Sequence, residues 1–125
     1  MTLSNPDLFN LERQIARTIQ DFYDRLLGVS QSQVSCHLSN QILTIVIENS
    51  ISIPEKLTLT SRESNAVLRW RSQLETAIQS QIRSAIEAKL KVPVLDVLID
   101  TNLQAQRTGL ILILESIPTA LTNPT

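Results

Sequence analysis

The sequence predicts an α+β fold in which two helices pack on a mainly antiparallel four-stranded sheet, in the order α-β-β-α-β-β. Two stretches repeat apolar residues every three or four positions, as amphipathic helices do. Each stretch is followed by a pair of short, β-branched apolar runs separated by polar turn formers, which is typical of hairpins. With 125 residues, of which 42% are hydrophobic, the chain has the size and composition of one domain with a buried core.

The first helix is predicted over residues 6–27. Pro6 tolerates the first helical position, and Asn5 before it can accept hydrogen bonds from free backbone amides. Gly28 can adopt the left-handed conformation that closes a helix. The apolar residues that recur on one face, and that we expect to be buried, are Leu11, Ile15, Ile19, Phe22 and Leu26.

Two antiparallel strands are predicted next, joined by a tight turn at residues 39–40. Residues 34–38 alternate between apolar and polar, whereas residues 42–47 are apolar almost throughout. Because successive strand residues point to opposite faces, we expect Cys36 to be a small core residue and His37 to be exposed.

A connector and a long second helix follow. Residues 48–59 contain Pro54 and only a weak apolar alternation, so they are predicted to be a loop or an extended connector. Residues 60–63 read Thr-Ser-Arg-Glu, which fits a capping box at a helix start, and Pro93 lies beyond the helix end.

The second helix is expected to bury Trp70 in its apolar stripe, between helix and sheet and together with Phe22 of the first helix. Arg71 and Glu75 are spaced i to i+4, which favours an ion pair on the outer surface of the helix.

The second hairpin is predicted from residues 94–99 and 110–114, joined by a polar loop over residues 100–109. Residues 1–117 are therefore assigned to a single α+β domain. Residues 118–125, which include two prolines and are mostly small or polar, are expected to form a flexible C-terminal tail.

Two of the strands are apolar on both faces, namely residues 42–47 and 110–114. Two helices can cover only one face of a four-stranded sheet, so something else must cover the other. We favour a homodimer. The alternative is that the connector and the tail suffice.

The residue types needed for catalysis are scarce. Cys36 and His37 point to opposite faces of one strand and cannot form a nucleophile–base pair. Asp96 and Asp100 share a strand face but lie roughly 13 Å apart, which favours a structural role. The sequence holds no metal-binding, phosphate-loop or dinucleotide motif, so no catalytic, cofactor-binding or metal-binding residue and no cofactor is predicted.

Net charge and hydropathy limit the classes of partner that the chain can bind. A formal net charge of −1 gives no field to hold nucleic acid. Runs of five or six apolar residues are far shorter than the roughly twenty needed to cross a bilayer, so we expect no direct membrane insertion. A single cysteine and an N-terminus without a basic start or apolar block favour the cytoplasm.

Several short segments along the chain together match a known pattern. They are Leu11-Glu12-Arg13-Gln14-Ile15, Phe22-Tyr23, Gly28, Ile45-Val46-Ile47-Glu48, Pro54-Glu55-Lys56, Leu59, Val97-Leu98-Ile99-Asp100 and Ile113-Leu114-Glu115. In these segments the chain resembles the MpsC-like family of small bacterial domains, which is named for a component of a sodium-translocating, membrane-potential-generating system. The resemblance implies an accessory protein of a membrane system that moves sodium or takes up inorganic carbon, with a membrane transport protein as partner and no catalytic residues.

A partner-binding patch is predicted in the connector, at Pro54, Glu55 and Lys56 with the nearby Arg62, because an exposed connector between rigid elements is a usual place for recognition. The alternative is that this segment is only a spacer. Two other functions stay open: a small homodimeric ligand-binding domain or adaptor in another pathway, and a minor enzyme that uses carboxylates.

Overall fold

The computed structural model describes residues 5–28, 32–50 and 64–118. Two helices and four strands follow one another in the predicted order α-β-β-α-β-β, so the predicted α+β fold is confirmed. The elements are α1 (Asn5–Leu27), β1 (Gln33–Ser39), β2 (Ile42–Glu48), α2 (Ser64–Leu90), β3 (Val94–Asn102) and β4 (Arg107–Leu114). The predicted capping box at 60–63, most of the connector and the tail beyond Pro118 lie outside the described residues.

The strands form one sheet in the order β1-β2-β4-β3, and all neighbouring strands are antiparallel. The two hairpins therefore lie side by side, with the apolar strands β2 and β4 in the middle. The first turn consists of Asn40, with φ of 54°, and Gln41, one residue later than the predicted turn at 39–40, because Ser39 still pairs with Ile42. Gly28 ends α1 with φ of 67°, as the sequence predicts.

The loop of the second hairpin is shorter than predicted. β3 continues to Asn102 and β4 begins at Arg107, so only residues 103–106 connect them. The prediction of a loop over residues 100–109 was wrong because it took polar residues as a strand end. Asp100, Asn102 and Arg107 are exposed, and polar side chains are compatible with a strand whose one face meets solvent.

Both helices pack on the same face of the sheet, with α1 beside the edge strand β1 and α2 beside the edge strand β3. The Glu12 carboxylate of α1 accepts a hydrogen bond from the Leu38 amide at 2.7 Å. The Glu87 carboxylate of α2 accepts one from the Val94 amide at 2.7 Å, and Arg83 donates one to the Val94 carbonyl at 2.6 Å. These contacts occupy backbone groups that face away from the sheet at each edge.

The core lies between the helices and the inner face of the sheet. Cys36 is buried there, as predicted, while His37 is exposed on the other face. The fully buried large side chains are Ile15, Ile19 and Tyr23 of α1, Ile82, Ile86 and Leu90 of α2, and Leu43, Ile45, Ile47, Leu110 and Leu112 of the sheet.

The first turns of α2 face the sheet with a different side from the predicted one. Trp70 is 47% exposed, whereas Arg71 is only 3% exposed and Glu75 is buried as well. Trp70 precedes Arg71 by one residue, or about 100° of helix rotation, so only one of them can face inward. The predictions of a buried Trp70 and of a surface Arg71–Glu75 pair were therefore wrong.

The aromatic residue of α1 in the core is Tyr23 rather than Phe22. Phe22 is half-buried and packs against the core, with its ring 6.0 Å from the Tyr23 ring in an edge-on contact. Leu26, which was expected on the buried face, is exposed. Among the described side chains of α1, Tyr23 is the last in the core, so the final turn extends beyond it.

Candidate functional site

The predicted partner-binding patch, Pro54, Glu55, Lys56 and Arg62, lies outside the described residues. The structure does describe both ends of the connector that carries it. Ser50 lies near the start of the predicted connector, and α2 follows the connector.

A buried cluster of polar side chains joins these two ends. Thr108, fully buried on the inner face of β4, lies at its centre: its hydroxyl oxygen is 2.7 Å from that of Ser50 and 2.7 Å from that of Thr101. The Arg71 guanidinium donates to the same oxygen at 3.1 Å and to the Glu75 carboxylate at 2.9 Å. The Thr101 hydroxyl also donates to Glu75. We call these five residues the polar cluster.

Burial of the ion pair requires these additional bonds. Moving two charges out of water carries a large desolvation penalty, which their attraction offsets only when further hydrogen bonds satisfy the remaining donors and acceptors. The two threonine hydroxyls supply such bonds to Arg71 and Glu75. The polar cluster thus fixes Ser50, near the start of the connector, to the N-terminal part of α2.

Tyr23 adds a buried hydroxyl next to this cluster. Its oxygen has no hydrogen-bond partner among the described residues. Burial raises the pKa of Tyr23 far above its ordinary value, and the Glu75 carboxylate raises it further, while the Arg71 guanidinium lowers it. Tyr23 therefore stays neutral and is suited to packing rather than to acid–base chemistry.

Cys36 and His37 are separated by the sheet, in agreement with the prediction that they cannot act together. Burial, and secondarily the Glu12 carboxylate, raise the pKa of the Cys36 thiol to about 12. At neutral pH the thiol is protonated, and a protonated thiol is a poor nucleophile.

The face of the sheet that the helices leave uncovered is apolar in its centre; we call it the outer sheet face. Side chains from the four strands lie side by side on it in register. Large apolar residues there are strongly exposed: Leu98 at 56%, Ile42 at 47% and Ile111 at 41%. Contiguous exposed apolar surface of this kind is typical of an interaction site.

A shallow depression lies on the outer sheet face at Gly109. It has a volume of about 410 Å³ and is lined by residues that include Val46, Leu98 and Ile111. A Cβ atom added at Gly109 would meet no atom within 4 Å, so the missing side chain leaves open space. The depression offers apolar contact area and no convergent set of polar groups.

Polar residues frame the outer sheet face differently at its two edges. The β3 edge carries Asp96 and Asp100, both exposed, which the sequence predicted to share a face. The β1 edge carries Ser35, His37 and Ser39, also exposed. Within the described ranges, no group of three or more His, Cys, Asp or Glu side chains could hold a metal ion.

The sequence predicted the outer sheet face through the two-sided apolar runs, but it did not predict the polar cluster. A usable signal was present: Arg71 and Glu75 continue the stripe of Ile78, Ile82 and Ile86 at steps of three or four residues. Their charge led to the assignment to the surface instead.

Neither described helix has a stretch long and apolar enough to span a membrane. The sequence model of one protein family matches residues 9–116, and its description reads Na⁺-translocating membrane potential-generating system (MpsC). No curated protein and no solved structure shows significant similarity to the chain.

Proposed function

Because the chain belongs to the MpsC family, we propose that it is a non-enzymatic accessory protein that acts in the cytoplasm on a membrane ion or inorganic-carbon transport system. The match over residues 9–116 carries this proposal, since these residues include α1 from Phe9 onward, the whole of α2 and all four strands. The family description supports the sodium-translocating setting, and the geometry of the chain supports the mode of action that we propose.

The mode of action that we propose is protein–protein contact. The side chains that could take part in chemistry are poorly placed for it, because Cys36 is protonated in the core and His37 faces the opposite side of the sheet. The polar groups of the cluster bind one another rather than pointing into a cleft. The outer sheet face, in contrast, exposes the kind of surface that binds proteins.

The proposal assigns a different contact to each of two surfaces. The outer sheet face makes the chain a homodimer, and the connector residues Pro54, Glu55 and Lys56, with the nearby Arg62, contact the membrane partner. The polar cluster supports the second assignment, because it holds Ser50 and α2 together at the two ends of the connector. A recognition segment is more effective when its ends are fixed on rigid elements.

Capture of membrane components tests this proposal. The tagged chain is expressed together with the membrane subunits of the transport system, and the detergent-solubilised complex is captured and measured. We expect the double charge reversal Glu55→Lys with Lys56→Glu to weaken capture severalfold without lowering the melting temperature.

The matched control is the double charge reversal Lys89→Glu with Glu115→Lys, which leaves the net charge unchanged. Both side chains are exposed. Capture should be unaltered in this control. His37→Ala and Cys36→Ser should also leave it intact. Absence of capture of the parent chain, or equal loss in the control, would contradict the proposal.

A further inference from the structure

We infer that two copies of the chain pack through their outer sheet faces about a two-fold axis parallel to the strands, so that β1 of each copy lies over β3 of the other. This inference rests on the self-association proposed above and adds its geometry.

The edges of the sheet are poor places for a second copy. An edge strand pairs with another chain through its free amide and carbonyl groups, and proteins prevent this by covering or occupying them. Glu12 occupies the Leu38 amide on the β1 edge, and Glu87 with Arg83 occupies both backbone groups of Val94 on the β3 edge. A register shift between Val94 and Asp96 further interrupts that edge.

The outer sheet face, in contrast, has a shape and size that a second copy can match. Four strands about 4.8 Å apart make a face roughly 20 Å wide, and stacked sheets pack about 10 Å apart through interdigitating apolar side chains. The central strands β2 and β4 place Ile42, Val46 and Ile111 on this face. The strands have 7–9 residues, so at about 3.3 Å per residue the face is roughly 25 Å long. Two such faces would bury on the order of 1,000 Å² in total, which is the lower end of specific interfaces, so we expect a dimer of modest affinity.

The charges on the face select the axis. An axis perpendicular to the strands would bring β3 against β3 and crowd four carboxylates, Asp96 and Asp100 of each copy, on one side of the interface. An axis parallel to the strands separates the two carboxylate pairs and places each against the β1 edge of the other copy. On the outer sheet face β1 presents Ser35, His37 and Ser39 and no acidic side chain. The Glu12 carboxylate at the same edge belongs to α1, which packs on the other face of the sheet.

The strand register then predicts which residues meet. His37 pairs with Thr44, Thr44 with Ile111, and Ile111 with Leu98, so these four side chains form one row across the face. Rotation about an axis parallel to the strands keeps a side chain in its row. His37 of one copy therefore lies over Leu98 of the other, between Asp96 and Asp100.

The mass of the isolated chain tests whether the face dimerises. Light scattering over a series of micromolar concentrations should approach twice 14.0 kDa for the parent chain. Leu98→Asp should remain monomeric throughout while keeping its helical circular dichroism, because Leu98 is 56% exposed. Leu68→Asp is the matched control, since Leu68 is 48% exposed on α2 and away from the face; this variant should still dimerise.

Cross-linking tests the axis. In a Cys36→Ser background, His37→Cys and Leu98→Cys chains are treated with a short bismaleimide, separately and as a mixture. We expect cross-linked dimers in the mixture and few in either chain alone, because the same residue in the two copies then lies at opposite edges. Cross-linking of the Leu98→Cys chain to itself would overturn the axis and leave the dimer, whereas a parent chain that is monomeric at every concentration would overturn both. Neither result bears on capture of the membrane components.

Discussion

At the scale of single residues, neighbours in the sequence have opposite environments, and this decides what each can do. Cys36 is buried while His37 is exposed, and Arg71 is buried while Trp70 is exposed. In the strand the reason is the alternation of side chains, and in the helix it is the rotation of about 100° per residue. Cys36 and His37 therefore cannot act together in one site, and neither can Trp70 and Arg71.

Arg71 is the residue whose replacement tests the polar cluster most directly. Arg71→Met leaves the Glu75 carboxylate buried without its cation, so we expect the free energy of unfolding to fall by about 3–5 kcal/mol. The double variant Arg71→Met with Glu75→Leu removes both charges and should regain much of that loss. Denaturant unfolding of the two variants and the parent measures both effects. An equal loss in the single and double variants would contradict the prediction, because removal of the unpaired Glu75 carboxylate would then bring no relief.

At the scale of elements, the two faces of the sheet should respond differently to the same substitution. Ile45→Asp buries an unpaired carboxylate in the core, which costs several kcal/mol against a typical total stability of about 5–15 kcal/mol, so we expect this variant not to fold. Ile45 is fully buried, whereas its sequence neighbour Thr44 is exposed on the outer sheet face.

Thr44→Asp is therefore the matched control for Ile45→Asp, because it introduces the same carboxylate one residue away on the same strand. Its circular dichroism should match that of the parent. If purified Ile45→Asp melts like the parent, Ile45 is not in the core and the assignment of faces in β2 is reversed.

The kinds and order of the elements could be predicted from the sequence because periodicity and turn residues are local signals. The recurrence at 15 and 19 indicated α1, and the alternation over 34–38 indicated β1. The strand order β1-β2-β4-β3 depends on pairing between residues far apart in the chain, such as Ile45 and Leu110, and no local pattern encodes it.

The polar cluster could not be recognised for a related reason. A charged i to i+4 pair predicts a solvated helix surface unless partners elsewhere in the chain make its burial tolerable. For Arg71 and Glu75 those partners are Thr108 and Thr101, which are 37 and 26 residues away in the chain, respectively. The outer sheet face was easier to predict, since two-sided apolarity is visible within a single strand.

At the scale of the whole molecule, one core and one polar cluster connect all the described elements. The core includes side chains from both helices and from all four strands. In the N-terminal half of α2 most of the described side chains are exposed, and this half is held to the sheet by the hydrogen bond that Arg71 donates to Thr108 and the one that Glu75 accepts from Thr101. Because the helices and the sheet stabilise one another through these contacts, we expect them to unfold cooperatively.

Thermal unfolding should therefore be a single transition for every probe. Trp70, the only tryptophan, lies beside Arg71 and reports on the N-terminal half of α2, while far-ultraviolet circular dichroism reports on all helices and strands. The two midpoints should coincide when both are measured at the same protein concentration, because any dimerisation then affects both probes equally. In Arg71→Met both midpoints should move to lower temperature. A Trp70 transition that clearly precedes the loss of circular dichroism in the parent chain would contradict this prediction, because the beginning of α2 would then unfold separately from the sheet.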